Sequence, residues 1–259
     1  MIGQEHLLLA ELEQIMKSAG QLLLTFFDKP LTRIQKPNAG IVTEADVVSE
    51  RYLIEQLSKL MPHAAFFAEE SGEHGQGDYC WVIDPLDGTT NFARGIPYFC
   101  ISVALTYKGE PIVSAIYQPI LKELYSACKG KGAFLNGTKI AVSDVPYEKS
   151  ALLIGLPYTK RAWYMAMIRD IAAVGPETFA LRHMGAAALD LAYVAAGRLD
   201  GSFFAGLGWW DVAAGMLLVT EAGGMVSDFQ GKRVDQNYSS CLAAGPEVYT
   251  RLLPLLKAP

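Results

Sequence analysis

The stretch Trp81-Val82-Ile83-Asp84-Pro85-Leu86-Asp87-Gly88-Thr89-Thr90-Asn91-Phe92 runs from apolar residues straight into two aspartates three positions apart. The apolar run predicts a strand. Pro85 fixes one φ angle and Gly88 permits a positive one, so a shaped turn is expected at the strand end. Two carboxylates held within roughly 4 Å repel by about 4 kcal/mol at an effective dielectric of 20, which favours a bound cation. The alternative is a solvated turn whose aspartates accept backbone hydrogen bonds.

Three further acidic residues stand next to predicted structural elements. Glu69 follows the apolar residues 65–68, Asp211 follows two tryptophans, and Asp46 lies three residues after Thr43. Each has an ordinary structural interpretation by itself. Glu69 with its neighbour Glu70 fits a solvated surface pair, Asp211 fits a helix N-cap, and Asp46 fits a capping box.

The overall composition excludes several classes of protein. The chain has 259 residues, 51% apolar and 19% charged, with a formal net charge of −5. No basic run predicts a nucleic-acid or membrane partner, and an anionic substrate would need cations at its site. The four cysteines occur singly, and the N-terminus lacks the pattern of a signal peptide, so a soluble cytoplasmic protein is expected. We predict a single domain over 1–259, with a soft subdomain boundary near residues 144–151.

The order of predicted elements indicates an α/β (α+β) fold. Apolar spacing predicts a first helix from Leu8 to Phe26 and a second after Thr43, with Val47, Ile54 and Leu57 facing inward. Strands are predicted at 79–83, 96–107, 111–117, 123–127, 199–204, 225–228 and 241–244; hairpin turns at 108–110 and 136–137; helices at 162–173, 185–196, 211–222 and 246–257.

Taken together, these segments resemble the inositol monophosphatase family over nearly the whole chain. The matching segments are 43–46, 69–70, 84–92, 185–190, 210–211 and 219–224, and the double-aspartate turn is the most specific of them. The resemblance implies a layered α/β/α/β/α sandwich of the inositol monophosphatase/fructose-bisphosphatase type. It also implies a lithium-sensitive phosphatase in which Mg²⁺ activates a water molecule, and a homodimer.

The resemblance assigns roles to particular residues. Two or three Mg²⁺ ions are expected on Glu69, Asp84, Asp87, Asp211 and the backbone carbonyl of Leu86. Such all-oxygen ligation suits a hard cation. For catalysis, it assigns Glu69 and the pair Thr89 and Asp46, which orient the water.

The resemblance also implies a substrate site. Phosphate is expected at the amides of Gly88 and Thr89, near Asp87, Asp211 and Lys36. The alcohol is expected against Gly185, Ala186, Ala187 and Phe204. Inositol-specific members of the family carry a glutamate where Phe204 stands, and phenylalanine cannot accept a hydrogen bond from a ring hydroxyl. Either Phe204 forms an aromatic wall of the pocket, or it turns into the core and another residue binds the alcohol.

The expected reaction is therefore hydrolysis of a small phosphate monoester, either inositol monophosphate or a related polyol or sugar phosphate. Histidinol phosphate, fructose bisphosphate and a nucleotide 3′-phosphate are alternative substrates. A hypothesis of another class is a regulatory, protein-binding role beside the catalytic one.

Overall fold

The computed structural model describes residues 5–30, 32–35, 41–157 and 161–257. Its helices occupy the segments where apolar residues recur every three or four positions. They are α1 Glu5–Leu24, α2 Glu44–Leu60, α3 Thr89–Phe92, α4 Arg161–Val174, α5 Ala187–Ala195, α6 Trp209–Glu221 and α7 Pro246–Leu252. The predicted helix 246–257 stops early because Pro254 has no N–H to continue the α-helical pattern, and the last turn is the 3₁₀ helix Leu253–Leu255.

The strands form one large sheet, one smaller sheet and a two-stranded ribbon. Their bounds are β1 Arg33–Gln35, β2 Ile41–Thr43, β3 Ala65–Ala68, β4 Gly72–His74, β5 Tyr79–Asp87, β6 Cys100–Tyr107, β7 Glu110–Gln118, β8 Glu123–Cys128, β9 Gly132–Leu135, β10 Thr138–Ile140, β11 Ala151–Gly155, β12 Ala180–Arg182, β13 Gly201–Ala205, β14 Met225–Ser227 and β15 Ser240–Ala244. The large sheet has the order β10-β9-β8-β7-β6-β5-β3-β4, the smaller one has the order β12-β11-β13-β15-β14, and β1 pairs with β2.

Helices and sheets alternate in five layers. The pair α1 and α2 covers one face of the large sheet, and α5 and α6 lie between the two sheets. On the outer face of the smaller sheet, α4 and α7 close a third apolar cluster. The predicted α/β/α/β/α sandwich is therefore confirmed.

The two hairpin turns of the large sheet also match their prediction. Lys108 and Gly109 have φ angles of 51° and 79°, and Asn136 and Gly137 have 49° and 79°. Two consecutive positive φ angles suit the right-handed twist of the flanking strands. In the described part of the chain, no helix has the length and apolar character needed to cross a membrane.

One parallel strand pair brings two acidic segments together. Within the large sheet, β3 runs parallel to β5, with Ala68 opposite Ile83. Glu69 and Asp84 directly follow this last pair, so both residues lie at the same edge of the β3–β5 pairing. The Glu69 N–H donates to the Ile83 carbonyl at 3.1 Å, which extends the pairing to that edge.

The first turns of α2 face a different way from the prediction. The side chain of Val47 is 53% exposed, whereas Leu57 is fully buried as expected. Asp46, Ser49 and Glu50 are buried in place of Val47. The reason is that this end of the helix packs against the polar turn after β5, and the apolar core begins only further along it.

Candidate metal centre

Three aspartates from two elements converge in a cluster that could hold a metal ion. Asp84 and Asp87 belong to the end of β5, and Asp211 belongs to the first turn of α6. One carboxylate oxygen of each lies within 4.8 Å of the other two. Asp84 and Asp87 are only 1% and 6% exposed. Buried carboxylates this close need a compensating cation or a proton.

The electrostatics of the cluster fit a cation. Burial raises the pKa of Asp84 well above its ordinary value, and the charges of Glu69 and of the other two aspartates raise it further. Burial also raises the pKa of Asp87, to about 6, although backbone amides partly offset the rise. The donors are all carboxylate oxygens, which hard divalent cations prefer. The residues present therefore suit the metal that the resemblance implies.

Asp211 is placed by the start of α6. The helix begins at Trp209, two residues before the predicted start, and Gly208 is its N-cap residue. Asp211 is thus the third residue of the helix, and its carboxylate accepts from the Gly208 N–H at 2.6 Å. The N-cap alternative for Asp211 is wrong, and the carboxylate faces the other two aspartates.

Asp87 is tied to the start of α5. Its two carboxylate oxygens accept from the N–H groups of Ala187 at 3.1 Å and Ala188 at 2.7 Å. The first N–H groups of a helix have no partner within the helix, so a carboxylate there is stabilised. This contact joins the aspartate cluster to the helix start that is expected to bind the alcohol.

A hydroxyl and a buried carboxylate lie beside the aspartates. The Thr89 hydroxyl is 2.9 Å from Asp46 Oδ1 and 3.0 Å from the Leu86 carbonyl. The other oxygen of Asp46 accepts from both the N–H and the hydroxyl of Thr43, at 2.8 and 2.6 Å. Asp46 therefore forms the predicted capping box and contacts Thr89 as well, so helix capping is not its only role. Burial raises the pKa of Asp46.

Gly88 occupies a position that other residues would not tolerate. Its φ is 88°, and a Cβ built there would lie 3.0 Å from the Tyr98 carbonyl oxygen. Because Gly88 precedes the short helix α3, the chain turns sharply from the two aspartates to Thr89. Asn91, at the third position of α3, donates to the carbonyls of Tyr98 and Met184, both at 2.8 Å. The short helix α3, which follows the double-aspartate turn, is therefore bonded to the segment that leads into α5.

A cavity of about 110 Å³ opens beside the aspartates. Asp87 and Asp211 line it together with Gly185, Ala186 and Ala187. The rest of the lining was not predicted from the sequence. It comprises the apolar residues Ile154, Leu156 and Leu207, the backbone of Gly155, and the polar residues His183 and Asp190.

Two of these polar residues are held in place by neighbours. His183 Nδ1 lies 2.8 Å from the Ile154 carbonyl, which can only accept, so Nδ1 carries the proton. Asp190 accepts from the Tyr98 hydroxyl at 2.7 Å. Burial raises the pKa of Asp190 to about 8. A charged residue at the fourth position of the otherwise apolar helix α5, five residues after Gly185, was the available signal for Asp190.

Phe204 does not form a wall of this cavity. Its side chain is fully buried in the apolar cluster between the two sheets and is not among the residues that line the cavity. It pairs in register with Gly155, where a Cβ would lie 2.7 Å from the Phe204 Cβ. Both faces of β13 are covered by helices, so either orientation of this side chain leads into a core. The alternative, in which Phe204 turns inward, describes the structure.

Of the remaining predicted residues, Glu69 lies near the cluster and Lys36 lies outside the described residues. Glu69 is close enough for its charge to raise the pKa of Asp84 and of Asp46. Sequence reasoning missed Ser49 and Glu50. Their signal was the spacing of three and four residues from Asp46, which places all three side chains on one face of a helix.

Known proteins are similar to this chain in fold and in sequence over most of its length. The profile described as the inositol monophosphatase family matches residues 4–258. The inositol-1-monophosphatase of Mesorhizobium japonicum is 38% identical over 263 residues, which cover 100% of this chain and 98% of that protein. The Nus factor SuhB of Xylella fastidiosa is 41% identical over 237 residues, which cover 88% of this chain and 86% of that protein.

Solved structures agree with the sequence relatives. The extragenic suppressor protein SuhB of Bartonella henselae superposes with a TM-score of 0.92 at 36% identity, covering 96% of this chain and 97% of that one. The inositol monophosphatase of Anabaena gives a TM-score of 0.88 at 34% identity, covering 98% and 96%. The chain belongs to the inositol monophosphatase family. This membership indicates that it is a phosphomonoesterase acting on a small phosphorylated substrate.

Proposed function

We propose that this protein hydrolyses a small phosphate monoester, inositol monophosphate or a related polyol or sugar phosphate, in a reaction that requires Mg²⁺. The observation that carries the proposal is the cluster of Asp84, Asp87 and Asp211 beside the Thr89 hydroxyl. We assign Glu69 and the Leu86 carbonyl to the same ligand set. When bound, two or three Mg²⁺ ions would supply the charge that activates water and stabilises the leaving oxygen.

The chain's own residues orient the attacking water. Thr89 has one hydroxyl proton and two nearby acceptors, Asp46 and the Leu86 carbonyl. If the Leu86 carbonyl is a metal ligand, the proton goes to Asp46. The lone pairs of the Thr89 oxygen are then available to accept a hydrogen bond from water. Asp46 is suited to this task because two bonds from Thr43 fix its other oxygen.

The cavity favours a compact alcohol with a partly apolar surface. Ile154, Leu156 and Leu207 offer no hydrogen bond, and the fully buried Phe204 supplies no acceptor in place of the family's glutamate. A buried hydroxyl left without a partner costs about 1–3 kcal/mol. We therefore expect weak selectivity for inositol 1-phosphate over glycerol 2-phosphate.

A phosphate-release assay over a panel of small phosphate esters tests the proposal. Activity should require Mg²⁺, disappear in EDTA and be inhibited by Li⁺. Asp211→Asn should lower kcat by several orders of magnitude, while Asp144→Asn, on the surface, should not. Full turnover in excess chelator, with no metal found by elemental analysis, would refute the mechanism.

A regulatory role is a second candidate function. It is favoured by relatives that carry the name Nus factor SuhB, among them that of Salmonella typhimurium at 39% identity over 253 residues. The two functions separate in one experiment. If a partner recovered with the wild type binds equally well to Asp84→Asn, which should lack phosphatase activity, the second role is independent of catalysis. A partner that binds only when substrate can be turned over would contradict that independence.

We also propose a homodimer that resides in the cytoplasm. All four cysteines are free, which suits a reducing compartment. Large exposed apolar side chains, such as Phe179 at 77%, support a subunit contact. Light scattering coupled to size exclusion should give twice the chain's 28.2 kDa. A mass of one chain at micromolar concentration would rule out the dimer.

A further inference from the structure

A buried carboxylate outside the proposed ligand set binds the turn formed by residues 69–71, called here the Glu69 turn. Glu50, on α2, is 4% exposed. Its Oε2 accepts from the Glu70 N–H at 2.8 Å, and its Oε1 accepts from the Ser71 N–H at 2.9 Å. The preceding N–H, that of Glu69, donates to the Ile83 carbonyl. Three consecutive N–H groups of this turn are therefore bonded, two of them to one side chain.

The same face of α2 contacts the double-aspartate turn. Ser49 donates to the Pro85 carbonyl at 3.0 Å, and Asp46 accepts from Thr89. Residues 46, 49 and 50 are neighbours on a helix surface. One rigid helix thus sets the distance between the turn that carries Glu69 and the turn that carries Asp84 and Asp87.

The chemical identity of Glu50 needs an explanation beyond stability. Burying a carboxylate costs free energy that its hydrogen bonds must offset. Glu50 accepts two N–H bonds at once, from the two residues that follow Glu69. Groups that orient metal ligands in this way commonly change metal affinity by 10- to 100-fold when they are replaced.

We infer that Glu50 is a positioning residue, which fixes the Glu69 turn for metal binding without touching the metal or the substrate. This inference rests on the proposed function, because it assumes that Glu69 binds Mg²⁺. It predicts that loss of Glu50 acts on Mg²⁺ affinity through Glu69, and that excess Mg²⁺ restores turnover.

The test compares two matched substitutions in the full chain. Glu50→Gln removes the charge and leaves one carbonyl oxygen for two N–H donors. The control is Glu221→Gln. Glu221 likewise accepts from two turn amides, those of Gly130 and Gly132, at 2.6 and 2.8 Å. It lies ten residues from Asp211, which is about 15 Å along α6.

The measurements are Mg²⁺ binding by calorimetry, the Mg²⁺-induced rise in Tm, and kcat and KM at saturating Mg²⁺. Glu50→Gln should weaken Mg²⁺ binding at least tenfold and shrink the Tm rise, with kcat within about threefold of wild type at saturation. Glu221→Gln should leave Mg²⁺ affinity within twofold. In a Glu69→Gln background, adding Glu50→Gln should change the remaining affinity less than threefold, because the two residues act through one turn.

Contrary results would count against either the positioning role of Glu50 or the proposed function. Wild-type Mg²⁺ affinity in Glu50→Gln, an equal loss in Glu221→Gln, or full additivity with Glu69→Gln would overturn the positioning role. If Glu50→Gln does not fold, Glu50→Asp keeps the charge and withdraws it by one methylene; unchanged Mg²⁺ affinity in that variant would overturn the role too. If the wild type itself binds no Mg²⁺, it is the proposed function that fails.

Discussion

Replacing Asp84 by asparagine should stabilise the metal-free protein while abolishing its response to Mg²⁺. Asp84 is 1% exposed, and its carboxylate lies within 4.8 Å of those of Asp87 and Asp211. Asparagine has nearly the same shape and can still accept the Leu86 N–H bond that Asp84 Oδ1 accepts at 3.0 Å. The substitution therefore removes charge and preserves most of the packing.

The size of the effect follows from the geometry. Two charges 4.8 Å apart, the upper limit of these separations, repel by about 3.5 kcal/mol at an effective dielectric of 20, so two ionised neighbours cost an ionised Asp84 about 7 kcal/mol at that distance. Binding of a proton relieves this repulsion, which is one cause of the raised pKa of Asp84. The folded pKa of Asp84 is raised, so its contribution to stability is present below the unfolded pKa near 3.9 and is lost as pH rises towards the folded pKa.

Through the titration of Asp84, the free energy of unfolding falls by as much as about 1.4 kcal/mol per pH unit. Asp87, whose pKa is raised to about 6, titrates in the variant as well, so the pH slope should become smaller without vanishing. The stabilisation of Asp84→Asn over wild type should therefore grow from pH 5 to pH 8.

Urea denaturation in EDTA at pH 5, 6.5 and 8 measures this difference, with Asp144→Asn as the exposed control. A Tm series with Mg²⁺ then gives the ligand response, which should be large for wild type and small for Asp84→Asn. The reasoning would be refuted if metal-free wild type and Asp84→Asn showed the same pH slope. A variant that kept the full Mg²⁺-induced Tm rise would remove Asp84 from the ligand set.

Substitutions at three further positions test other parts of the structure. Thr89→Val should lower kcat by about 10²-fold or more with KM little changed, because no hydroxyl remains to orient water; Thr89→Ser should retain most activity. Gly88→Ala should cost about 1–3 kcal/mol of backbone strain at φ 88° and more for the approach to the Tyr98 carbonyl. Phe204→Ala should cost about 3–5 kcal/mol of unfolding free energy, as for a core aromatic, and leave substrate preference unchanged.

Each of these predictions has its own check. Steady-state kinetics on both Thr89 variants would contradict the water-orienting role if valine and serine behaved alike. For Gly88, the control is Gly109→Ala, which has a φ of 79° but no atom within 4 Å of the added Cβ. Equal urea midpoints for those two variants would exclude the packing contribution. For Phe204→Ala, the check is the ratio of the kcat/KM values for inositol 1-phosphate and glycerol 2-phosphate. A change of more than about threefold in this ratio would show that Phe204 contributes to substrate binding.

Local patterns in the sequence were sufficient for the elements and for most of the cluster. Apolar periodicity located the main helices, and the positive-φ turn at Asn136-Gly137 was readable because few residues adopt that conformation. The double-aspartate turn identified Asp84 and Asp87 because a proline and a glycine shape the chain within a few residues. These features depend on neighbours in sequence, so a pattern of residue types carries them.

The tertiary structure decided the orientation of individual side chains and the partners of distant ones. Val47 was assigned to the wrong side, and the two orientations considered for Phe204 stayed open, since exposure depends on what packs against an element and composition does not reveal that. Glu50 reaches amides twenty residues away, and the parallel pairing of β3 with β5 brings Glu69 beside Asp84. Contacts of this kind arise from the packing of layers against each other. The residue types of the site could therefore be predicted from the sequence, but the distances between them are set by the tertiary structure.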